Sequence, residues 1–92
     1  MDAAGLMGIN NYTFQYRGYF EDANTANLSG TYLGLSPSSL ANTPTKEYSL
    51  LICFNGANTY LAQFYITMNT WKFYRRFSSD NGGTWSTWGI IN

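Results

Sequence analysis

Apolar and polar side chains alternate with a period of two along most of this chain. From residue 11 the stretch NYTFQYRGYF puts Tyr12, Phe14 and Tyr16 on one side and Thr13, Gln15 and Arg17 on the other, which predicts a half-buried strand over residues 12–20. EDANTANLSG then changes character: Asp22 or Asn24 can cap a single helical turn around residues 25–28, which Gly30 ends. Residues 31–36 predict a short strand, and Pro37 and Pro44 among Ser, Asn and Thr predict an exposed loop. Two longer β-rich runs, 48–54 and 58–68, flank Asn55-Gly56, the pair best suited to positive φ in a type I′ hairpin turn. Residues 71–77 follow a polar Asn69-Thr70 turn, and residues 85–91 form a last strand after the Gly-rich SSDNGGT. The fold expected is all-β, a small antiparallel meander or sandwich of about five to seven strands with one short helical turn. Neither a sustained 3.6-residue period nor an internal repeat is present.

With 92 residues there is room for one domain, and at that size only about two-thirds of the unfolded chain's surface can be buried. Aromatics make up 18% of the chain, so the core has to be built largely from rings, which suit strands better than helices. Five basic and five acidic residues cancel, which leaves no electrostatic footprint for nucleic acid and no basic amphipathic helix for a membrane surface. Aromatic strands with so little charge would make a lone monomer prone to self-association, a difficulty that an obligate oligomer escapes. The single Cys53, inside SLLICF, reads as a buried small apolar residue. The opening MDAAGLMGIN lacks the basic and long apolar regions of a signal peptide. Residues 1–10 are expected to be a flexible segment or the remnant of a preceding region, and residues 11–92 a single β domain.

Catalytic chemistry finds little support. The absence of His removes the usual general base, the commonest metal ligand and the usual partner of a nucleophilic Ser or Cys. No phosphate loop or EF-hand spacing occurs, so no cofactor or metal site is expected. Glu21 and Asp22 are neighbours that point oppositely in extended backbone, a poor pair for glycoside hydrolysis and a good strand exit and cap. SSDNGGTW over residues 78–85 matches the Asp-box pattern S-x-D-x-G-x-T-W of sialidase-like propellers and other β proteins. That pattern is specific for a turn made of Ser78, Asp80, Gly82, Thr84 and Trp85: Asp80 can accept backbone N–H bonds across the loop, Gly82 and Gly83 supply conformations closed to other residues, and Trp85 packs beneath.

What remains is sugar-recognition chemistry, in which rings stack on apolar sugar faces and amides or guanidinium groups satisfy hydroxyls. Asn69, Trp71, Tyr74 and Arg76 are the candidate glycan contacts, although core or subunit packing is the commoner role for Trp71, Tyr74, Trp85 and Trp88. One of Arg75 and Arg76 must face inward and needs partners, with Asp80, Glu47 or backbone carbonyls as candidates.

DANTANLSGTY at residues 22–32, the strand carrying Gln63, KFYRRFSSDNGGTWSTW at residues 72–88 and the final GII together resemble the pyocin-knob-like module of phage tail fibres. Asp22, Asn24, Gly30 and Tyr32, then Gln63, then Phe73-Tyr74-Arg75, then Trp85-Ser86 and Trp88 carry the resemblance, which spans residues 16–91. The final WGIIN departs from it where a charged residue is common after the second Trp. The resemblance implies a β-rich, homotrimeric knob in the virion tail that acts outside the cell by adhering to bacterial surface polysaccharide, without catalysis. A structural spacer or trimerisation domain of a fibre is the alternative, as is a non-catalytic fragment of a carbohydrate-active enzyme.

Overall fold

The computed structural model describes residues 12–91 of the chain. The N-terminal segment expected over residues 1–10 lies outside them. Six strands form one mixed sheet in sequence order: β1 (Gln15–Tyr19), β2 (Gly30–Gly34), β3 (Ser49–Gly56), β4 (Tyr60–Thr67), β5 (Phe73–Ser78) and β6 (Gly89–Ile91). All-β architecture and the number of strands agree with the sequence pattern, while the topology differs from a simple meander at its first step. β1 runs parallel to β2, and every later pair is antiparallel.

A parallel pair requires a crossover, and residues 20–29 supply it. This segment contains a 3-10 turn at Ala23–Thr25, three residues upstream of the expected centre, with Asp22 as its cap: Asp22 Oδ1 accepts from the Asn24 amide at 2.9 Å. The crossover lies over one face of the sheet. Beside it runs the 35–48 connection, with a second 3-10 turn at Pro37–Ser39 and a bridge between Asp22 and Ala41. The proline-rich loop is therefore not uniformly exposed, because Leu40 is buried beneath it.

The core sits between this inner face and the two connecting segments. Phe20, Ala23, Ala26 and Leu40 from the connections meet Tyr32, Leu51, Cys53 and Tyr65 from the sheet, with Tyr74 and Trp88 packed at the side. Burial pushes the Cys53 thiol up to about 12, against the pull of Arg76 and Arg17, which suits the inert apolar role its sequence context implies. The outer face carries Leu50, Ile52, Phe54, Ala62, Phe64, Ile66, Phe73 and Phe77 by strict alternation, with Phe54, Phe73 and Phe77 the most exposed and Phe14 lying against Phe54.

Several expected boundaries shift for identifiable reasons. The alternation in residues 12–20 is real, but its ring side faces outward: Tyr16 is 58% exposed, Phe14 stacks on Phe54 at 5.3 Å, and Arg17 turns back to donate to the Ser29 and Thr13 carbonyls. A bulge at Arg17, with Gly18 at φ +98°, interrupts the ladder. The β3–β4 turn falls two residues later than Asn55-Gly56. Gly56 pairs with Tyr60, and Ala57 and Asn58 take the left-handed conformations. Asn55 is drawn into the strand because its Nδ2 donates to the Asn27 carbonyl and its Oδ1 accepts from the Asn58 amide. Residues 85–88 are irregular, and only Gly89–Ile91 pair with β5.

Gly30 is where the parallel pairing is most constrained. It has φ +147°, and a Cβ built on it would stand 1.7 Å from the Gln15 carbonyl oxygen. Gly30→Ala is expected to destabilise the domain by about 3 kcal/mol or more, read as a lowered urea midpoint. A shift equivalent to less than about 1 kcal/mol would show that β1 tolerates separation from β2.

Candidate functional site

Two places gather the side chains that the sequence singles out. The first is a buried polar node on the inner face, where β4 and β5 place Gln63 opposite Arg76. Gln63 is fully buried. Its Nε2 donates to the Ala23 and Ala26 carbonyls at 2.7 and 2.9 Å, and its Oε1 accepts from Arg76 Nε at 2.8 Å. Arg76, only 6% exposed, also donates through Nη2 to Asn24 Oδ1 at 2.8 Å. Its guanidinium lies 4.0 Å from the Trp85 ring centroid and 4.6 Å from that of Trp88. Two indole faces thus substitute for a carboxylate.

The inward arginine is therefore Arg76, and its partners are neutral. Asp80 and Glu47, the carboxylates that sequence reasoning offers it, are engaged elsewhere. Burial lowers the Arg76 pKa to about 10, with Asp22 opposing the shift, so the side chain remains cationic at neutral pH. Arg75, the residue matched by the aromatic-aromatic-Arg signature, is exposed and paired with Gly89 on the outer face. Tyr74 points inward and packs against Tyr65 with centroids 6.0 Å apart. Trp88 packs on the same ring and donates its indole N–H to the Asn42 carbonyl at 3.0 Å.

The second place is the turn between β4 and β5. Thr67 organises it: its amide donates to the Lys72 carbonyl at 3.0 Å, its carbonyl accepts from the Trp71 amide at 3.0 Å, and its hydroxyl meets Thr70 Oγ1 at 2.6 Å. Thr70 in turn donates to Glu47 Oε1 at 3.1 Å. The i to i+4 bond from Trp71 to Thr67 closes the turn by leaving Trp71 in the left-handed region, at φ +54°. Trp71 is not part of a strand, as its sequence position suggests, but sits at the tip of this turn, 73% exposed, two residues after the exposed Asn69. The structure thus brings Asn69 and Trp71 together in solvent and places Tyr74 and Arg76 inside. Asn24, marked along the chain as a possible cap and by the resemblance, proves to be an acceptor for Arg76, whereas Asn42, whose carbonyl accepts from Trp88, carries no local signal that could have marked it.

The 78–85 loop is closed by the Asp80 carboxylate. Oδ1 accepts from the Thr84 amide at 2.9 Å and from Ser78 Oγ at 2.7 Å, and Oδ2 accepts from Thr84 Oγ1 at 2.7 Å. Gly82 takes φ +87°, while the second left-handed position is Asn81 rather than Gly83. The Trp85 ring lies under Gly82, within 3.5 Å of where a Cβ would be. These bonds, the Thr84 amide first, hold the Asp80 carboxyl down at about 2.

Among solved structures, the chain is similar to a C-terminal fragment of the R1 pyocin fibre of P. aeruginosa, with TM-score 0.69 and 23% identity over 85% of this chain and 21% of that one. It matches a C-terminal fragment of the P. aeruginosa R2 pyocin fibre and an N-truncated R2-type pyocin tail fibre equally well. Each has TM-score 0.70 and 21% identity over 85% of this chain, covering 22% and 32% of the respective fibre chains. No family model and no curated protein sequence matches the chain. It therefore shares the fold of a β module found in pyocin tail fibres, and spans between a fifth and a third of the fibre chains it matches.

Gln63→Leu should cost about 3 to 5 kcal/mol in chemical denaturation, because two crossover carbonyls and a buried guanidinium each lose a hydrogen bond together. A loss below about 1 kcal/mol would mean that water replaces the amide without penalty. Asp80 supplies a pH test. Its folded pKa lies below the unfolded value near 4, so its stabilisation is complete above that pH and disappears as pH falls toward about 2. In thermal melts, Asp80→Asn should lower the midpoint at neutral pH and flatten its fall across that acid window. A variant that tracks the wild type throughout would remove Asp80 from the account.

Proposed function

We propose that the chain is a non-catalytic module of a phage or pyocin-like tail fibre, acting as a homotrimer outside the cell and adhering to bacterial surface polysaccharide. The fold shared with pyocin fibres supports the fibre setting. The observation that carries the adhesive role is Trp71: a bulky residue held at φ +54° by a closed network of bonds, with its ring left in solvent.

A left-handed non-Gly residue costs roughly 1 to 2 kcal/mol, and an exposed indole gains nothing from burial. Both features would be readily lost unless the ring served a purpose at the surface. The turn presents it rigidly, so a sugar could stack on its face with little loss of side-chain entropy. Asn69, two residues away, offers an amide to sugar hydroxyls. Tyr74 and Arg76, the other two candidates, serve the same site from within by fixing β5, the strand that leaves the turn. Three copies would present three such sites and turn weak single-site affinity into avidity. The alternative, a fibre spacer or trimerisation domain with adhesion performed elsewhere, has its own support: the module spans only a minor part of the fibres that share its fold.

Trp71→Gly separates the two. Glycine is at ease at positive φ, so unfolding free energy should hold or rise by about 1 kcal/mol. Binding to bacterial polysaccharides printed on a glycan array should meanwhile drop by about tenfold or more. Undiminished binding by Trp71→Gly, or no binding by the unaltered protein to any bacterial polysaccharide, would favour the spacer.

A further inference from the structure

The tip that carries Trp71 is fastened to a part of the chain more than twenty residues away. Thr67, fully buried at the end of β4, accepts from the Lys72 amide through its hydroxyl at 2.9 Å. The same oxygen stands 2.6 Å from Thr70 Oγ1, and Thr70 Oγ1 donates to Glu47 Oε1 at 3.1 Å. A hydroxyl has one proton to give, and the Thr70 proton goes to a carboxylate, which only accepts. Thr70 must therefore receive from Thr67, because the Lys72 carbonyl, 3.5 Å from the Thr67 hydroxyl, is the poorer acceptor. Donation thus runs from the Lys72 amide to the Thr67 hydroxyl, the Thr70 hydroxyl and the Glu47 carboxylate, and ends on the one charged group in the series.

We propose that Glu47 is the positioning residue of the Trp71 site: by fixing Thr70, it holds the indole of the next residue where a sugar would meet it. The inference rests on the adhesive reading above and adds to it a residue that acts through another. Two observations support it. First, Thr70 makes no backbone hydrogen bond among the described residues, so its hydroxyl bonds to Thr67 and Glu47 are what restrain it. That restraint matters at this point of the chain, since Trp71 at φ +54° occupies a region that a bulky side chain leaves readily. Second, the acceptor is itself anchored to the core. The fully buried Tyr65 donates its hydroxyl to the Thr45 carbonyl at 2.9 Å, and the Met68 amide donates to the Tyr48 carbonyl at 2.9 Å, so the 45–48 stretch is tied down on both sides of Glu47. A hydrogen bond to a charged acceptor is roughly twice as strong as one between neutral groups, and solvent at this surface screens only part of the difference.

Amide hydrogen exchange followed by NMR reads the turn without a ligand. In Glu47→Ala the Trp71 amide should exchange about tenfold faster than in the unaltered protein, while the paired amides of β3 and β4 keep their rates, because the opening is local. Glu47→Gln retains a side-chain carbonyl that accepts from Thr70 and should bring exchange back to within about twofold. Bacterial polysaccharides should bind Glu47→Ala about fivefold more weakly and Glu47→Gln about as well as the unaltered protein, since a ring that moves must be ordered on binding. Unchanged Trp71 exchange in Glu47→Ala, or full binding by that variant where Trp71→Gly has lost it, would overturn the positioning role and leave the adhesive reading standing. Full binding by Trp71→Gly, or none by the unaltered protein, would defeat the adhesive reading and this inference with it.

Discussion

A fully buried amide holds this fold together. Gln63 donates both amide hydrogens to carbonyls of the crossover and accepts from Arg76, so one side chain satisfies backbone on one layer and a cation on the other. The crossover pairs part of its own backbone, with the Ala26 amide donating to the Ala23 carbonyl, and Gln63 supplies the Ala26 carbonyl and a second donor to Ala23 from the sheet. Parallel pairing of β1 with β2 follows from it, because that pairing exists only if the chain can lie across the inner face on its way back. Gly30 then permits the approach that the crossover requires.

Arg76 illustrates how a thin core accommodates a charge. With no carboxylate partner described, the guanidinium sits between two indoles and two side-chain amides, which stabilise it without the cost of burying a second ion. The arrangement also recruits Trp85 and Trp88 from the irregular 85–88 segment to the sheet, and the Asp80-centred loop delivers them there. The local turn, the two tryptophans and the crossover are thus coupled through a single cation.

The two faces of the sheet consequently have different fates. The inner face is closed by the protein's own connections and carries the polar node, and the outer face is apolar and partly exposed. The fold places an exposed indole at one end of β4 and a ring-lined hollow at the other.

Much of this was legible along the chain. Period-two alternation marked the strands, Asp22 marked a cap, Cys53 marked the core, and the spacing of Ser78, Asp80, Gly82, Thr84 and Trp85 marked a closed loop, because each depends on residues within a few positions of one another. Alternation names two faces but cannot say which is buried, and so the rings of Tyr12, Phe14 and Tyr16 read as core when they lie outside. The direction of β1, the choice of Arg76 over Arg75 as the inward cation, and the amide partners it found depend on contacts 13 to 52 residues apart. Trp71 was legible as a candidate but not as a strained one, since its backbone angle is set by Thr67 bonds that close a turn. Local propensity therefore determined which pieces would form. Long-range hydrogen bonding, which satisfies buried polar groups only in one assembled arrangement, decided how they face.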